Sequence, residues 1–298
     1  MRVFMTGATG FIGSVIVEEF KAAGHQVSGL ARSDQAAASL AQWGVEAIRG
    51  DVADPEGLAA AARASDGVIH CAFGNDFSKY LEMGETDLRA VSAMAQALAG
   101  SGKPLVVTSG LTAVTPGRAS TEADAADLEG PTSVRGRPEA LALAASETGV
   151  RSVVVRLPPS VHDRQQQGLV TMLIALARQT GVSAYVGDGD GAARWPAVHR
   201  RDAARLFRLG LERGQPGQRL HAVAEEGVSL RAIAEAIGER LGIPTRSLDP
   251  SEAPGHFGWL ARPASNDMPA TSLVTQQSLD WRPTGPGLLD GLLGDYLA

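Results

Sequence analysis

Thr6-Gly7-Ala8-Thr9-Gly10-Phe11-Ile12-Gly13 joins a short strand-like run, Arg2 to Thr6, directly to an amphipathic stretch, Phe11 to Ala23. The three glycines have separate uses at this spacing. Gly7 permits a tight turn, Gly10 lets the backbone come close to a pyrophosphate, and Gly13 lets the helix lie against the strand. The first turn of such a helix also presents unpaired N–H groups and the positive end of its dipole, which suit an anion. Thr9, Phe11 and Ile12 lie along the same turn and join the glycines as candidate dinucleotide-binding residues. Glycine-rich turns also connect strands to helices without any ligand, so the placement carries the reading rather than the glycines alone.

Outward from this turn, the first half of the chain alternates between two kinds of segment. Short apolar runs at Gln26 to Ala31, Val45 to Arg49, Gly67 to Cys71, Pro104 to Ser109 and Arg151 to Arg156 predict strands. Gln35 to Trp43, Pro55 to Ala64, Tyr80 to Ala99 and Pro138 to Thr148 predict the helices between them, with Pro55 and Pro138 near helix starts, where a missing N–H costs little. This alternation predicts an α/β fold, a doubly wound Rossmann-type parallel sheet with helices on both faces. Thr115 to Gly136 has no clear period and predicts a long loop. After Arg156 the pattern loosens into helices at Gly168 to Thr180, Asp202 to Arg213, Ser229 to Leu241 and Gly287 to Leu297. The expected organisation is a dinucleotide-binding domain over 1–160 and a smaller substrate-binding cap over 161–298, with some cap elements returning to the sheet.

Bulk composition excludes several function classes. Across 298 residues the formal net charge is −6 and basic residues occur only in short pairs such as Arg200 and Arg201, so nucleic acid and anionic lipid are not expected partners. A single cysteine, Cys71, leaves no intrachain disulfide and no cysteine cluster for a metal, and inside an apolar run it reads as core filler. No signal peptide is legible ahead of the glycine turn, and no apolar run approaches the roughly 18 residues of a membrane span. A cytoplasmic protein with a small-molecule substrate is expected. Asp188-Gly189-Asp190 invites a calcium reading, which fails because an EF-hand starting at Asp188 would need Gly at Ala193 and Glu at His199.

The string Thr6 to Gly13 resembles the TGxxGxxG fingerprint of the extended short-chain dehydrogenase/reductase superfamily, which includes NAD-dependent epimerases, dehydratases and NmrA-like proteins. The second strand ends Leu30-Ala31-Arg32-Ser33, where an NAD-preferring fold places an acid on the ribose hydroxyls. Arg32 can pair with a 2′-phosphate and Ser33 can add a hydroxyl, so NADP is expected over NAD; the other reading of Arg32 is an exposed loop arginine. Gly50-Asp51-Val52 resembles the family's adenine-contacting element, although Asp51 equally suits a helix cap. His70-Cys71-Ala72-Phe73-Gly74 resembles the family's fourth-strand ending, which implies cofactor contact by Cys71, Ala72 and Phe73 and leaves His70 as a satisfied core histidine. Pro158 falls where the family's backbone passes over the nicotinamide.

The resemblance also exposes a departure. Most of the superfamily uses a Tyr to exchange the substrate proton and a Lys four residues later to lower its pKa, yet none of Tyr80, Tyr185 and Tyr296 is followed by such a lysine. Aligned through Glu139 and Arg156-Leu157-Pro158, the tyrosine position holds Pro131 and the lysine position Arg135, a poor proton relay. Ser109 resembles the family's catalytic serine, unless the register shifts by one and Gly110 takes that place; Ser109 and Thr112 could equally be loop caps.

Replacement groups are sought in the second half. His199, in a segment resembling the family's V-H-x-x-D element, titrates near neutral pH and is the first choice for acid or base, with Tyr185 second. His199 equally suits a partner for a neighbouring carboxylate. Asp202 is expected to cap the helix that follows. His162, Trp195 and Trp259 are candidate substrate contacts, together with Thr112, and Trp281 in Leu279-Asp280-Trp281-Arg282-Pro283 is expected in the core. The resemblance implies an NADP(H)-dependent oxidoreductase for a small carbonyl or alcohol. Its rivals are an epimerase or dehydratase with tightly held NAD, and a non-catalytic NADP-binding redox sensor. It also implies a homodimer through Tyr80 to Ala99 and Pro138 to Thr148.

Overall fold

In the computed structural model, which describes residues 1–74, 79–111, 117–130, 133–166, 168–188 and 192–297, the first half of the chain runs strand, helix, strand throughout. Its elements are β1 (Arg2–Thr6), α1 (Phe11–Ala22), β2 (Gln26–Ala31), α2 (Asp34–Gln42), β3 (Glu46–Arg49), α3 (Pro55–Ala64), β4 (Gly67–His70), α4 (Tyr80–Leu98), β5 (Pro104–Gly110), α5 (Ser133–Ala144) and β6 (Arg151–Leu157). Local chemistry sets several helix starts. The Asp54 side chain accepts from Glu56 N and Gly57 N with Pro55 opening α3, and Ser33 accepts from Ala36 N to start α2.

The second half contributes β7 (Ser160–His162), α6 (Leu169–Thr180), β8 (Ser183–Val186), β9 (Arg194–His199), α7 (Arg200–Arg213), β10 (Gln218–His221), β11 (Glu225–Ser229), α8 (Leu230–Leu241) and β12 (Thr245–Leu248). Four short helices follow: α9 (Ala253–Phe257), α10 (Ala261–Ser265), α11 (Leu273–Leu279) and α12 (Leu288–Leu293). Among the described residues, seven strands form the central sheet in the order β10-β6-β5-β4-β1-β2-β3. Every pairing within it is parallel. Residues i and i+1 of a strand face opposite sides, and the core divides accordingly. Val3 and Met5 pack with α1 and α7, whereas Phe4 packs with α3 and α4. Helices on both faces explain why these strands read as continuous apolar runs.

β10 and α7 return from the second half to the sheet, where α7 packs on α1 and Trp281 is fully buried with its Nε1 donating to Asp202 O at 3.0 Å. The remaining elements form a second core around α6, α8 and Trp195. It is built on the three-stranded sheet β11-β9-β7 and the two-stranded sheet β12-β8. No helix among the described residues is long and apolar enough to cross a membrane.

Some expectations need correction. α5 begins at Ser133 and carries Pro138 inside it, so Ser133 to Gly136 is helix rather than loop. Tertiary pairing holds this helix despite the proline: Glu139, buried on α5, takes Arg156 Nε at 3.1 Å and also meets Arg219 Nε at 3.3 Å. The long final helix is shorter, ending at Leu293, and the strands β7, β8, β10, β11 and β12 go beyond the helices expected after Arg156, since tertiary pairing rather than an apolar run defines them. Asp280, which stands where the resembling element has Gly, is a non-glycine residue with positive φ, 49°, at the C-cap of α11.

Replacing Arg156 with Leu should strand the buried Glu139 carboxylate and lower unfolding stability by about 3 kcal/mol, with Arg219 offsetting part of the loss. Replacing both Arg156 and Glu139 with Leu should recover most of it in urea denaturation. A double variant no more stable than the single one would show that packing, not charge burial, is the cause.

Candidate functional site

Strand order reverses between β1 and β4, and the crevice at their carboxyl ends is where an open parallel sheet receives a ligand. Gly7 turns there with φ +72°, and a Cβ on it would lie 2.7 Å from Ala72 N; a Cβ on Gly13 would lie 2.0 Å from Gly7 O. Neither position has room for a side chain, so turn and helix sit as close to the strand ends as backbone allows. Gly10 is the N-cap of α1 and offers no side chain to the first helical N–H groups, which leaves them for an incoming anion.

A cavity of about 320 Å³ opens at this point. Gly7, Gly10, Phe11, Ile12 and Gly13 line one side, Cys71 and Phe73 the segment after β4, Leu157, Pro158 and Pro159 the end of β6 and the turn beyond it, and Val161 the middle of β7. Gln166 and Gly168, which the sequence reading did not single out, complete the wall; Gly168 has φ +61° and a Cβ there would meet Pro159 O at 2.3 Å. An apolar wall beside the uncapped start of α1 fits a nicotinamide dinucleotide. Burial pushes the Cys71 thiol up, so it is not a nucleophilic thiolate near neutral pH.

Behind Phe73 lies a buried polar chain. Ala72 N donates to Thr6 Oγ1 at 3.2 Å, and Thr6 Oγ1 lies 2.8 Å from His70 Nδ1. His70 Nε2 lies 2.8 Å from Asp87 Oδ1, while Arg135 donates from Nη1 to Asp87 Oδ2 at 2.8 Å and from Nη2 to Thr108 O at 2.6 Å. A proton on His70 Nε2 donating to Asp87 and the Thr6 hydroxyl donating to Nδ1 satisfy every bond in this chain. The Arg135 guanidinium also stacks on the Phe73 ring, 4.1 Å from its centroid. His70 is thus a satisfied core histidine, and Arg135 is a cation fixed at the cavity wall. Ser109 is 2% exposed and donates to Arg135 O at 3.4 Å, a structural contact with α5.

At the end of β2, Arg32 is exposed, Ser33 is occupied in capping α2, and Asp34 turns to Arg49 at 2.7 Å. Asp51 accepts from Ala53 N at 2.8 Å, which makes it a cap of the turn before α3, and Val52 packs against the core beneath α3 and α4. Thr9 is exposed beside the glycine turn. Thr112, Pro131, Gly189 and Asp190 lie outside the described residues. Among those described, no group of His, Cys, Asp or Glu is arranged to hold a metal ion.

The structure does not bring the second-half candidates to this cavity wall. His199 caps α7, its Nδ1 accepting from Arg201 N at 3.3 Å, and its ring meets His162 edge-on at 5.7 Å. Asp202 is therefore not the N-cap; it holds Thr284 N at 3.1 Å and Gly285 N at 2.7 Å, fastening the C-terminal segment. His162 is fully buried with Nδ1 2.9 Å from the Tyr296 hydroxyl, and its Nε2 has no hydrogen-bond partner. Trp195 has no exposed surface and donates to Pro263 O at 3.1 Å, so it is cap core rather than a substrate wall. Tyr185 packs against the same core from β8, and Trp259 is 52% exposed on the cap. The cap touches the site through Arg200, which donates to Phe11 O at 3.2 Å, lies 4.8 Å from the Phe11 ring centroid and pairs with Asp163.

Comparison with known proteins agrees with this geometry. Residues 3–223 match the model of the NAD dependent epimerase/dehydratase family. The Schizosaccharomyces pombe protein C2A9.02 is 43% identical over 295 residues and the Saccharomyces cerevisiae protein YLL056C 42% identical over 298, each match covering 99% of both chains. A Thermus thermophilus UDP-glucose 4-epimerase solved with NAD shares the fold at TM-score 0.74 and 22% identity, over 99% of this chain and 98% of that one.

Burial, and then the proximity of His199, hold the His162 imidazole down at about 3. The unfolded chain would bind a proton here near pH 6.5, so between about pH 3 and 6.5 unfolding takes up a proton and stability must fall as pH falls. The loss attributable to His162 across that window is roughly 5 kcal/mol, and none of it appears above pH 7. Urea denaturation at pH 7, 6 and 5 should show a shallower pH slope for His162→Gln than for the wild type; parallel slopes would contradict the assignment.

Proposed function

We propose that this chain, which belongs to the NAD dependent epimerase/dehydratase family, prefers NADP(H) to NAD(H) and transfers hydride to or from a small carbonyl or alcohol substrate. The observation that carries the cofactor preference is the end of β2: Arg32 stands at the position of the usual ribose-binding acid, while Asp34 is turned toward Arg49. A guanidinium there suits a 2′-phosphate, and an exposed acid engaged elsewhere offers little to ribose hydroxyls. The glycine turn would hold the pyrophosphate by its amides, and the bound dinucleotide would supply the hydride. The chain's own contribution is to orient the ring between Phe73 and Pro158 and to keep Arg135 fixed beside it. The single cysteine fits a cytoplasmic setting.

Direct titration tests this reading. Arg32→Ala should weaken NADP(H) by about 10- to 100-fold, the loss of one charge-assisted pair, with little change for NAD(H). Equal weakening of both would remove Arg32 from the 2′-phosphate. Stoichiometric NAD released on denaturation would favour the epimerase or dehydratase reading instead, and tight NADP binding without turnover on aldehydes, ketones and sugar nucleotides would favour a sensor.

We also propose a homodimer through the outer faces of α4 and α5, which are already tied to one another by Arg137 and Glu85 at 2.6 Å. Ala93 is partly buried and Ala144 exposed on these helices, small enough for a second copy to approach closely. Sedimentation at micromolar concentration should give a dimer that Ala93→Glu with Ala144→Glu converts to monomer. A wild-type monomer, or a dimer that tolerates both charges, would contradict this.

A further inference from the structure

The proton source is the one component that the family's own helix does not supply here, because Pro131 and Arg135 occupy the tyrosine and lysine positions. Three tyrosines could fill the role. Tyr296 is 9% exposed and engaged with His162 inside the cap, and Tyr185 packs on the cap core. Tyr80, the first residue of α4, instead meets Phe73 edge to face, with ring centroids 6.0 Å apart and planes at 76°. Phe73 borders the cavity and carries the Arg135 guanidinium on its face. Two neighbouring helices thus bring a phenol and a fixed cation to one aromatic side chain of the cavity wall.

We propose that Tyr80 exchanges the proton with the substrate oxygen, with Arg135 as the cation that offsets the phenolate and with Asp87 and His70 as residues that position Arg135. This rests on the reading of the cavity as a nicotinamide dinucleotide site. In the reducing direction a bound dihydronicotinamide would supply hydride to the carbonyl carbon, and as the π pair moves to oxygen the Tyr80 O–H bond breaks and that oxygen takes the proton. Alcohol and oxidised dinucleotide leave, and water reprotonates the phenolate. Oxidation is the reverse. Burial raises the Tyr80 phenol most, Arg135 lowers it and Asp87 raises it, so it is protonated at neutral pH and stands ready as an acid. Oxidation, which needs the phenolate as base, should gain rate as pH rises.

The test uses the full-length double variant Tyr185→Phe with Tyr296→Phe, in which Tyr80 is the sole tyrosine, labelled at Cζ with carbon-13. Saturating oxidised NADP places a cationic ring near the phenol, so the Tyr80 titration step should move down by at least about half a pH unit. The analogue 2′-phospho-ADP-ribose, which lacks nicotinamide, should leave it in place. Binding of oxidised NADP with no shift would overturn the role of Tyr80 while leaving the cofactor reading intact, whereas failure of NADP and NAD to bind at all would overturn both. If the double variant does not fold, the same signal is assigned in labelled wild type by its loss in Tyr80→Phe. Tyr80→Phe should also lower turnover in an NADPH-linked carbonyl screen by roughly 10²-fold or more with unchanged NADPH affinity. Full turnover would overturn the proposal.

Discussion

One carboxylate out of reach of water ties the cavity wall to the sheet. Asp87 is 3% exposed, and its two oxygens are engaged by His70 and Arg135. An unpaired charge at that depth would cost several kcal/mol, so the helix that carries Asp87, the strand that carries His70 and the helix that carries Arg135 are held to one mutual arrangement. The chain of bonds continues through Thr6 to the Ala72 amide, one residue before Phe73. Backbone position at the end of β4, ring position of Phe73 and guanidinium position of Arg135 are therefore a single geometric unit.

That unit also explains how an arginine can occupy a lysine's place. A lysine ammonium is a compact charge that can both lower a neighbouring phenol and exchange a proton; a guanidinium lowers the phenol by its charge but does not give up a proton. Here its plane is fixed by a carboxylate, a carbonyl and an aromatic face at once, and the carboxylate offsets its charge. The result is a rigid donor rather than a relay, and the acid must come from outside α5.

Local signals made the sheet half readable. The glycine turn, the apolar runs of β1 to β6 and the proline that opens α3 are written in adjacent residues, where period and propensity operate. The polar chain at the wall is not, since Thr6, His70, Asp87 and Arg135 come from four separate elements with no spacing that announces them. Tyr80 carried no signal beyond being a tyrosine near a helix start. The second-half helices α6, α7 and α8 were legible too, but the site candidates placed there missed the cavity for a different reason. Trp195 and His162 have the chemistry of site residues, but burial in the cap commits Trp195 to a carbonyl and His162 to a phenol. Short strands such as β7 exist because neighbours pair with them, and propensity alone does not find them.

Arg200 gives the two cores a common fate. Its guanidinium belongs to the helix that leaves the cap sheet, yet it grips the ring and carbonyl of Phe11 in the glycine turn and pairs with Asp163 in the segment after β7. Any ligand that orders the turn must then slow the opening of the residues behind this clasp, and any loosening of the clasp must weaken the ligand by the same free energy. Amide hydrogens in β7 and at the start of α7 should accordingly exchange more slowly when the glycine turn is filled, and proteases should find the cap a poorer substrate.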